Sequence, residues 1–287
     1  MNQLQYTADL GSLMTAIGAV QHNQIDSENL LCRGMNEDSR QIKEGDIFIA
    51  RPGLESDGRR YINQAVSKGA AAILVEEHQL ENYVQSDIER VPVYKAKSLA
   101  NMLGQLADTF YQHPSKSLNV IGITGTNGKT TCSLMTAHVL QSMGHSVAVM
   151  GTMGNGPYGE LVPSMNTTLD AISLHQYFAT FRDQGMEYVV MEVSSHALAQ
   201  GRVNHVAFDV AVFTNLSRDH LDYHGDMASY AEAKKLLFRW PDLKHAVINS
   251  DDKVGLDIIA EISAKVSCYS YSITAINAQD PERSVYT

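Results

Sequence analysis

The chain has 287 residues, 44% of them hydrophobic, with 22 Lys+Arg against 32 Asp+Glu and a net charge of −10. That length predicts two domains with sizeable cores, and the acidic balance argues against a nucleic-acid binder, which carries a basic face. There is no apolar run long enough to span a bilayer, no signal-peptide pattern at Met1, and no disulfide or zinc spacing among Cys32, Cys132 and Cys268, so a reduced, cytoplasmic protein is expected, with monomer as the default.

Helix and strand signals alternate over residues 1–113. Residues 46–50 and 71–75 read as strands, 59–68 between them as a helix, and 91–94 as a further short strand. Residues 98–111 form an amphipathic helix pattern with Leu99, Met102, Leu103, Leu106 and Phe110 on one face. His113-Pro114-Ser115 breaks it, because proline disfavours helix at the residue before it. The domain boundary is placed there, giving 1–113 and 114–287.

From Leu118 the rhythm becomes strand–helix–strand. Residues 120–124, 147–151, 188–193, 210–215 and 246–249 read as buried strands, and helices fall near 131–143, 171–184 and 228–239. Such alternation predicts an α/β domain, a mainly parallel sheet covered by helices on both faces. Ligands in such folds bind beyond the carboxyl ends of the strands.

The run Thr124-Gly125-Thr126-Asn127-Gly128-Lys129-Thr130-Thr131 stands at one of those ends, between an apolar strand and a helix. A strand, a glycine turn and a helix N-terminus make an anion cradle of backbone N–H groups and positive helix dipole. Lys129 suits the β/γ-phosphates of a nucleoside triphosphate, and the Thr130 hydroxyl suits Mg²⁺. Ile123 stands where the common phosphate-loop pattern has its first glycine.

Glu192 ends the strand that starts at Tyr188, where a buried carboxylate is costly without a partner and a metal ion is one such partner. Residues 217–225 crowd Arg218, Asp219, His220, Asp222 and His224 into one loop, which reads equally as metal ligands or as a solvated polar loop. On the helical stretch 228–240, Ala233, Leu236, Leu237 and Trp240 share a face. At about 100° per residue, Lys234 borders that face while Lys235 points to solvent. A half-buried lysine shifts its pKa readily and becomes reactive.

Together these residues resemble the Mur ligase family, most closely its MurE type, which adds the third amino acid to the peptidoglycan precursor UDP-MurNAc-L-Ala-D-Glu. The resemblance rests on Asp38-Ser39-Arg40, Asp57-Gly58-Arg59-Arg60-Tyr61, the phosphate loop with Ile123, Asn166-Thr167-Thr168, residues 191–196 and residues 214–225. It implies that Gly125, Thr126, Asn127, Gly128, Lys129, Thr130 and Thr131 contact ATP phosphates and that Asn249 contacts adenine. It implies Mg²⁺ on Thr130, Glu192, His220 and Lys234, the last as a carbamate formed with CO₂, and a catalytic set of Lys129, Glu192, His220 and Lys234. The UDP end is expected near Ser39, Leu54, Glu55 and Ser56 on an N-terminal UDP-binding domain. The muramoyl-dipeptide is expected at Asn166, Thr167, Thr168, Ser194, Gln200 and Arg202.

By the same resemblance, the carboxylate is activated as an acyl phosphate and captured by the amine of meso-diaminopimelate or L-lysine. The family's C-terminal domain, which holds that amino acid, has no counterpart in 1–287, so the chain alone is expected to bind substrates with little turnover. Another Mur or folylpolyglutamate-type ligase, and a non-catalytic nucleotide-binding module, are the other readings of the same loop.

Overall fold

The structure, a computed structural model, describes residues 6–53, 56–83, 90–164, 166–262, 264 and 266–274. The chain divides into two compact units, Met1–His113 and Pro114–Thr287.

The first unit runs β1 (Ala8–Asp9), α1 (Leu10–Ala16), β2 (Val20–Gln21), β3 (Leu31–Cys32), β4 (Gly34–Asn36), β5 (Asp46–Ala50), α2 (Ile62–Ser67), β6 (Ala72–Glu76), β7 (Val93–Ala96) and α3 (Leu99–Phe110). Its sheet has the order β2-β7-β6-β5-β4, parallel except for β2 against β7. Phe48, Ala50, Ile73, Val75 and Val93 from the central strands pack with Ile62 and Ala65 of α2. The predicted helix at 59–68 begins instead as a 3₁₀ turn, Gly58–Tyr61. The Asp57 carboxylate accepts the Arg59 N–H at 3.0 Å there, tightening the entry to α2. Helix α3 stops at Phe110, and Gln112 and His113 turn left-handed before Pro114.

The second unit runs β8 (Asn119–Thr124), α4 (Lys129–Ser142), β9 (Val147–Gly151), β10 (Gly154–Pro157), α5 (Ala171–Asp183), β11 (Tyr188–Glu192), α6 (Ser195–Ala199), β12 (Val210–Phe213), α7 (Leu221–His224), α8 (Met227–Lys235), β13 (His245–Asn249), α9 (Lys253–Glu261) and β14 (Ser267–Tyr271). Its sheet order is β10-β9-β11-β8-β12-β13-β14, parallel except for β10 against β9. Side chains alternate across it. Val120, Ala148, Met150, Val189, Met191, Ala211 and Phe213 face a core with α5, α6 and α9, whereas Ile123, Val147, Val149 and Val190 face Ala137 of α4.

The two covered faces follow from handedness. The β8–α4–β9 crossover runs one way along the sheet and the later crossovers run back. Right-handed connections of opposite direction put their helices on opposite faces. The end of β8 therefore lies where the direction of winding reverses, the position at which such sheets bind ligands. Among the described residues, no helix is long and apolar enough to cross a membrane.

Candidate active site

The glycine turn after β8 is held against the exit of β12. Gly125 adopts φ +150°, and a Cβ there would fall 1.9 Å from the Thr214 Oγ1, so only glycine lets the two segments touch. Lys129 folds back over the turn, its Nζ donating to the carbonyls of Gly125 and Thr126 at 2.9 Å each. Burial lowers its pKa, opposed by the carboxylates of Glu192 and Asp219. The first helical bond is Cys132 N–H to the Gly128 carbonyl, 2.8 Å. The N–H groups just before it are the open N-terminus of α4. The N–H groups of Thr126 and Asn127, by contrast, are bonded to Asn215.

Glu192 closes β11 one strand away and is only 2% exposed. Its carboxylate accepts the Thr130 hydroxyl at 2.9 Å, the Thr152 N–H at 2.8 Å and the Thr152 hydroxyl at 3.2 Å. Three donors offset the desolvation that an unpaired carboxylate would suffer. Gly151 makes room for it, since a Cβ there would lie 2.3 Å from Glu192 Oε1. Thr152 was not anticipated from the sequence; its signal is a hydroxyl directly after the strand 147–151.

Lys234 is 1% exposed, and its Nζ donates to the same Gly125 carbonyl at 2.8 Å while sitting 4.5 Å from the centre of the Tyr230 ring. Burial and the neighbouring Lys129 charge bring its pKa down to about 7, against a weaker pull from Asp219. Lys235 is the correction. It is 7% exposed rather than solvated, bridging Glu261 at 2.7 Å and Glu232 at 3.3 Å. Helix α8 ends at Lys235 and Leu236–Arg239 continues as a 3₁₀ turn. The 3₁₀ segment turns about 120° per residue rather than 100°. The single wheel drawn through 240 therefore misplaced its end, and Leu236 is 38% exposed.

His220 stands immediately before α7 in a left-handed conformation, φ 51°. Its ring lies 4.9 Å from that of His196 and 6.0 Å from that of Tyr230. His224 accepts from or donates to the Ser195 hydroxyl at 3.0 Å and packs against Tyr230. Tyr230 OH in turn meets the Thr126 hydroxyl at 3.1 Å. The phosphate loop, the His220 loop and the Lys234 helix thus meet around Tyr230.

The residues expected at the dipeptide fall into two groups. Thr168 donates to the Glu192 carbonyl at 2.9 Å and accepts the Ser194 N–H at 3.1 Å, while Arg202 reaches the Thr168 carbonyl at 3.1 Å and Gln200 Oε1 at 2.7 Å. Burial lowers the Arg202 pKa, with Asp170 and Tyr223 opposing. Thr167 meets the Thr152 hydroxyl at 3.1 Å, Ser194 caps α6, and Asn166 is exposed. Asn249, at the end of β13, donates to the Thr214 carbonyl at 2.8 Å and accepts the Asp251 N–H at 2.9 Å. In the first unit, Ser39 is buried and donates to Gln64 Oε1 at 2.7 Å, and Ser56 is exposed. Leu54 and Glu55 lie outside the described residues.

Magnesium is a hard cation that keeps water and phosphate oxygens and takes one or two protein oxygens. The adjoining Thr130 hydroxyl and Glu192 carboxylate fit that donor set. Among the described residues, no three His, Cys, Asp or Glu side chains group as a self-sufficient metal cage.

The family profile for the Mur ligase middle domain matches residues 123–285, more than half of the chain, and that for the Mur ligase family catalytic domain matches 32–111. The chain is 46% identical over 254 residues to a UDP-N-acetylmuramoyl-L-alanyl-D-glutamate–2,6-diaminopimelate ligase of Coxiella burnetii, covering 88% of this chain and 51% of the relative. It is 45% identical over 250 residues to the ligase of the same name in Pseudomonas aeruginosa, covering 87% and 50%. A solved structure of a ligase with that name superposes with a TM-score of 0.77 at 32% identity, covering 94% of this chain and 53% of the other. MurF from Acinetobacter baumannii shares the fold, with a TM-score of 0.68 at 21% identity over 93% of this chain and 54% of the other. The chain spans about half the length of the curated relatives it matches. It belongs to the Mur ligase family.

Proposed function

We propose that residues 1–287 form the UDP-substrate-binding and ATP-binding parts of a ligase that joins diaminopimelate to UDP-MurNAc-L-Ala-D-Glu. The similarity to diaminopimelate ligases supports the choice of amine. Residues 1–113 take the UDP end near Ser39 and 54–56, and 114–287 take ATP and the muramoyl-dipeptide. One observation carries the reading: the deeply buried Lys234 amine donates to the same Gly125 carbonyl as Lys129 of the phosphate loop and makes no ion pair among the described residues.

A carboxylate resists attack by an amine because it is anionic and lacks a good leaving group. The D-glutamate γ-carboxylate first attacks the γ-phosphorus of ATP, the bond to ADP breaks, and an acyl phosphate forms. The amine then attacks the acyl carbon, loses a proton, and inorganic phosphate departs. Lys129 and the N–H groups of residues 128–131 balance the charge on the transferring phosphoryl oxygens. Thr130 and Glu192, with His220 and carbamylated Lys234, would hold Mg²⁺, which would neutralise triphosphate charge. Asn249 meets adenine, and Arg202 with Asn166, Thr167, Thr168, Ser194 and Gln200 meets the peptide carboxylates.

Lys234 suits carbamylation because burial brings its pKa down to about 7, so that a substantial share of its amine is neutral near that pH. The neutral nitrogen attacks the carbon of CO₂, a C–N bond forms, and one N–H proton passes to water, leaving an anion. In the full-length enzyme, Lys234→Ala is expected to lower phosphate release with diaminopimelate by at least 100-fold. Added short carboxylates should restore part of that loss. Undiminished turnover in Lys234→Ala would remove the lysine from the reaction.

A further inference from the structure

The Thr214–Ser217 segment does more than carry the chain from β12 to the His220 loop. The Asn215 carbonyl accepts the Thr126 N–H at 2.8 Å. The Asn215 side-chain Oδ1 accepts the Asn127 N–H at 3.1 Å, and its Nδ2 donates to the Asn127 carbonyl at 3.1 Å. One carboxamide thus pairs with both polar groups of one peptide residue, as a neighbouring strand would. Thr214 adds a hydroxyl bond to the same carbonyl at 2.6 Å, and the Ser217 N–H donates to Thr126 Oγ1 at 3.0 Å.

That segment is itself anchored from behind. Asn249 donates to the Thr214 carbonyl, and the Asp252 carboxylate accepts the Leu216 N–H at 2.6 Å while capping α9 through the Val254 N–H at 2.8 Å. The crest of the phosphate loop is therefore tied through Asn215 to the sheet and α9. A glycine-containing turn left free would lose conformational entropy when phosphate arrived. A turn already held has its open N–H groups aimed in advance.

We propose that Asn215 is a positioning residue for the nucleotide site. It holds Thr126 and Asn127 so that the N–H groups of residues 128–131 converge on phosphate. The inference rests on the nucleotide reading of this loop, and the test separates the two. ADP binding to residues 1–287 is measured by calorimetry for the wild type, Lys129→Ala, Asn215→Ala and Asn215→Asp. Backbone hydrogen exchange is followed over 124–131 in the same proteins.

Asn215→Ala is expected to weaken ADP at least 10-fold, speed exchange of the Asn127 amide, whose acceptor is the Asn215 side chain, and leave exchange in β11 unchanged. Asn215→Asp keeps the acceptor for the Asn127 N–H but turns the donor into a repelling oxygen. It should bind as weakly as the alanine variant, and it serves in its place if that variant does not fold. ADP affinity within twofold of wild type in the Asn215 variants, with binding lost in Lys129→Ala, overturns the role of Asn215 alone. Binding that survives Lys129→Ala overturns the phosphate-loop reading and the Asn215 role with it. Weakened binding with β11 exchange accelerated equally assigns Asn215 to general stability and also overturns the proposal.

Discussion

Some side chains in this protein pair with a residue two positions away, and others only across helices that the fold brings together. Asp57 and Arg59, two residues apart, form a pair at 2.7 Å with the Arg59 side chain 3% exposed. The guanidinium holds the Asp57 carboxyl down at about 2. The folded-state value lies below that of the unfolded chain, so the pair contributes its full stability above about pH 4. That contribution fades as pH falls towards 2. Asp57→Asn should flatten the pH dependence of stability between those limits, as measured by urea unfolding at several pH values. An unchanged acid slope would contradict the pairing. Lys235 shows the opposite case: its partner Glu261 lies 26 residues away on another helix, and no local pattern could foretell that bridge.

At the scale of elements, five of the seven strands of the second unit were read within a residue or two because each is built on a short apolar run. The predicted strands at 120–124 and 147–151 correspond to β8 and β9, and 188–193 to β11. Short or polar elements escaped: β10 is Gly-Asn-Gly-Pro, β14 is Ser-Cys-Tyr-Ser-Tyr, and α6 has only five residues. Their place is set by neighbours, with β10 pairing on β9 and β14 on β13. The strand-end carboxylate Glu192 was legible, whereas Thr152 and Asn215 gain meaning only once their strands lie beside β11 and β8. Helix α5 supplies Leu174, Phe178 and Phe181 to the larger core. Truncating the fully buried Phe178 to alanine removes those contacts and leaves a cavity, for a destabilisation of about 3–5 kcal/mol. Chemical denaturation checks this, and a loss under ~1 kcal/mol would mean that α5 is not a principal part of that core.

For the whole molecule, two compact units with their own cores follow from length and from the break at His113-Pro114. Sheet order was beyond sequence reading, because it depends on which non-adjacent strands pair. The right-handed rule then explains why α4 faces away from α5, α6 and α9. That arrangement brings the end of β8 beside the ends of β11 and β12, and it places Lys129, Glu192 and Thr214 around one turn. We propose that this convergence is a magnesium–nucleotide site.

A crystal structure of the protein grown with ADP and Mg²⁺ tests that claim most directly. The account predicts the β-phosphate at the N-terminus of α4, within hydrogen-bond distance of the N–H groups of residues 128–131, with the metal on Thr130 and Glu192. ADP bound elsewhere, or Glu192 keeping its bonds to Thr130 and Thr152 with no metal beside it, would contradict the account.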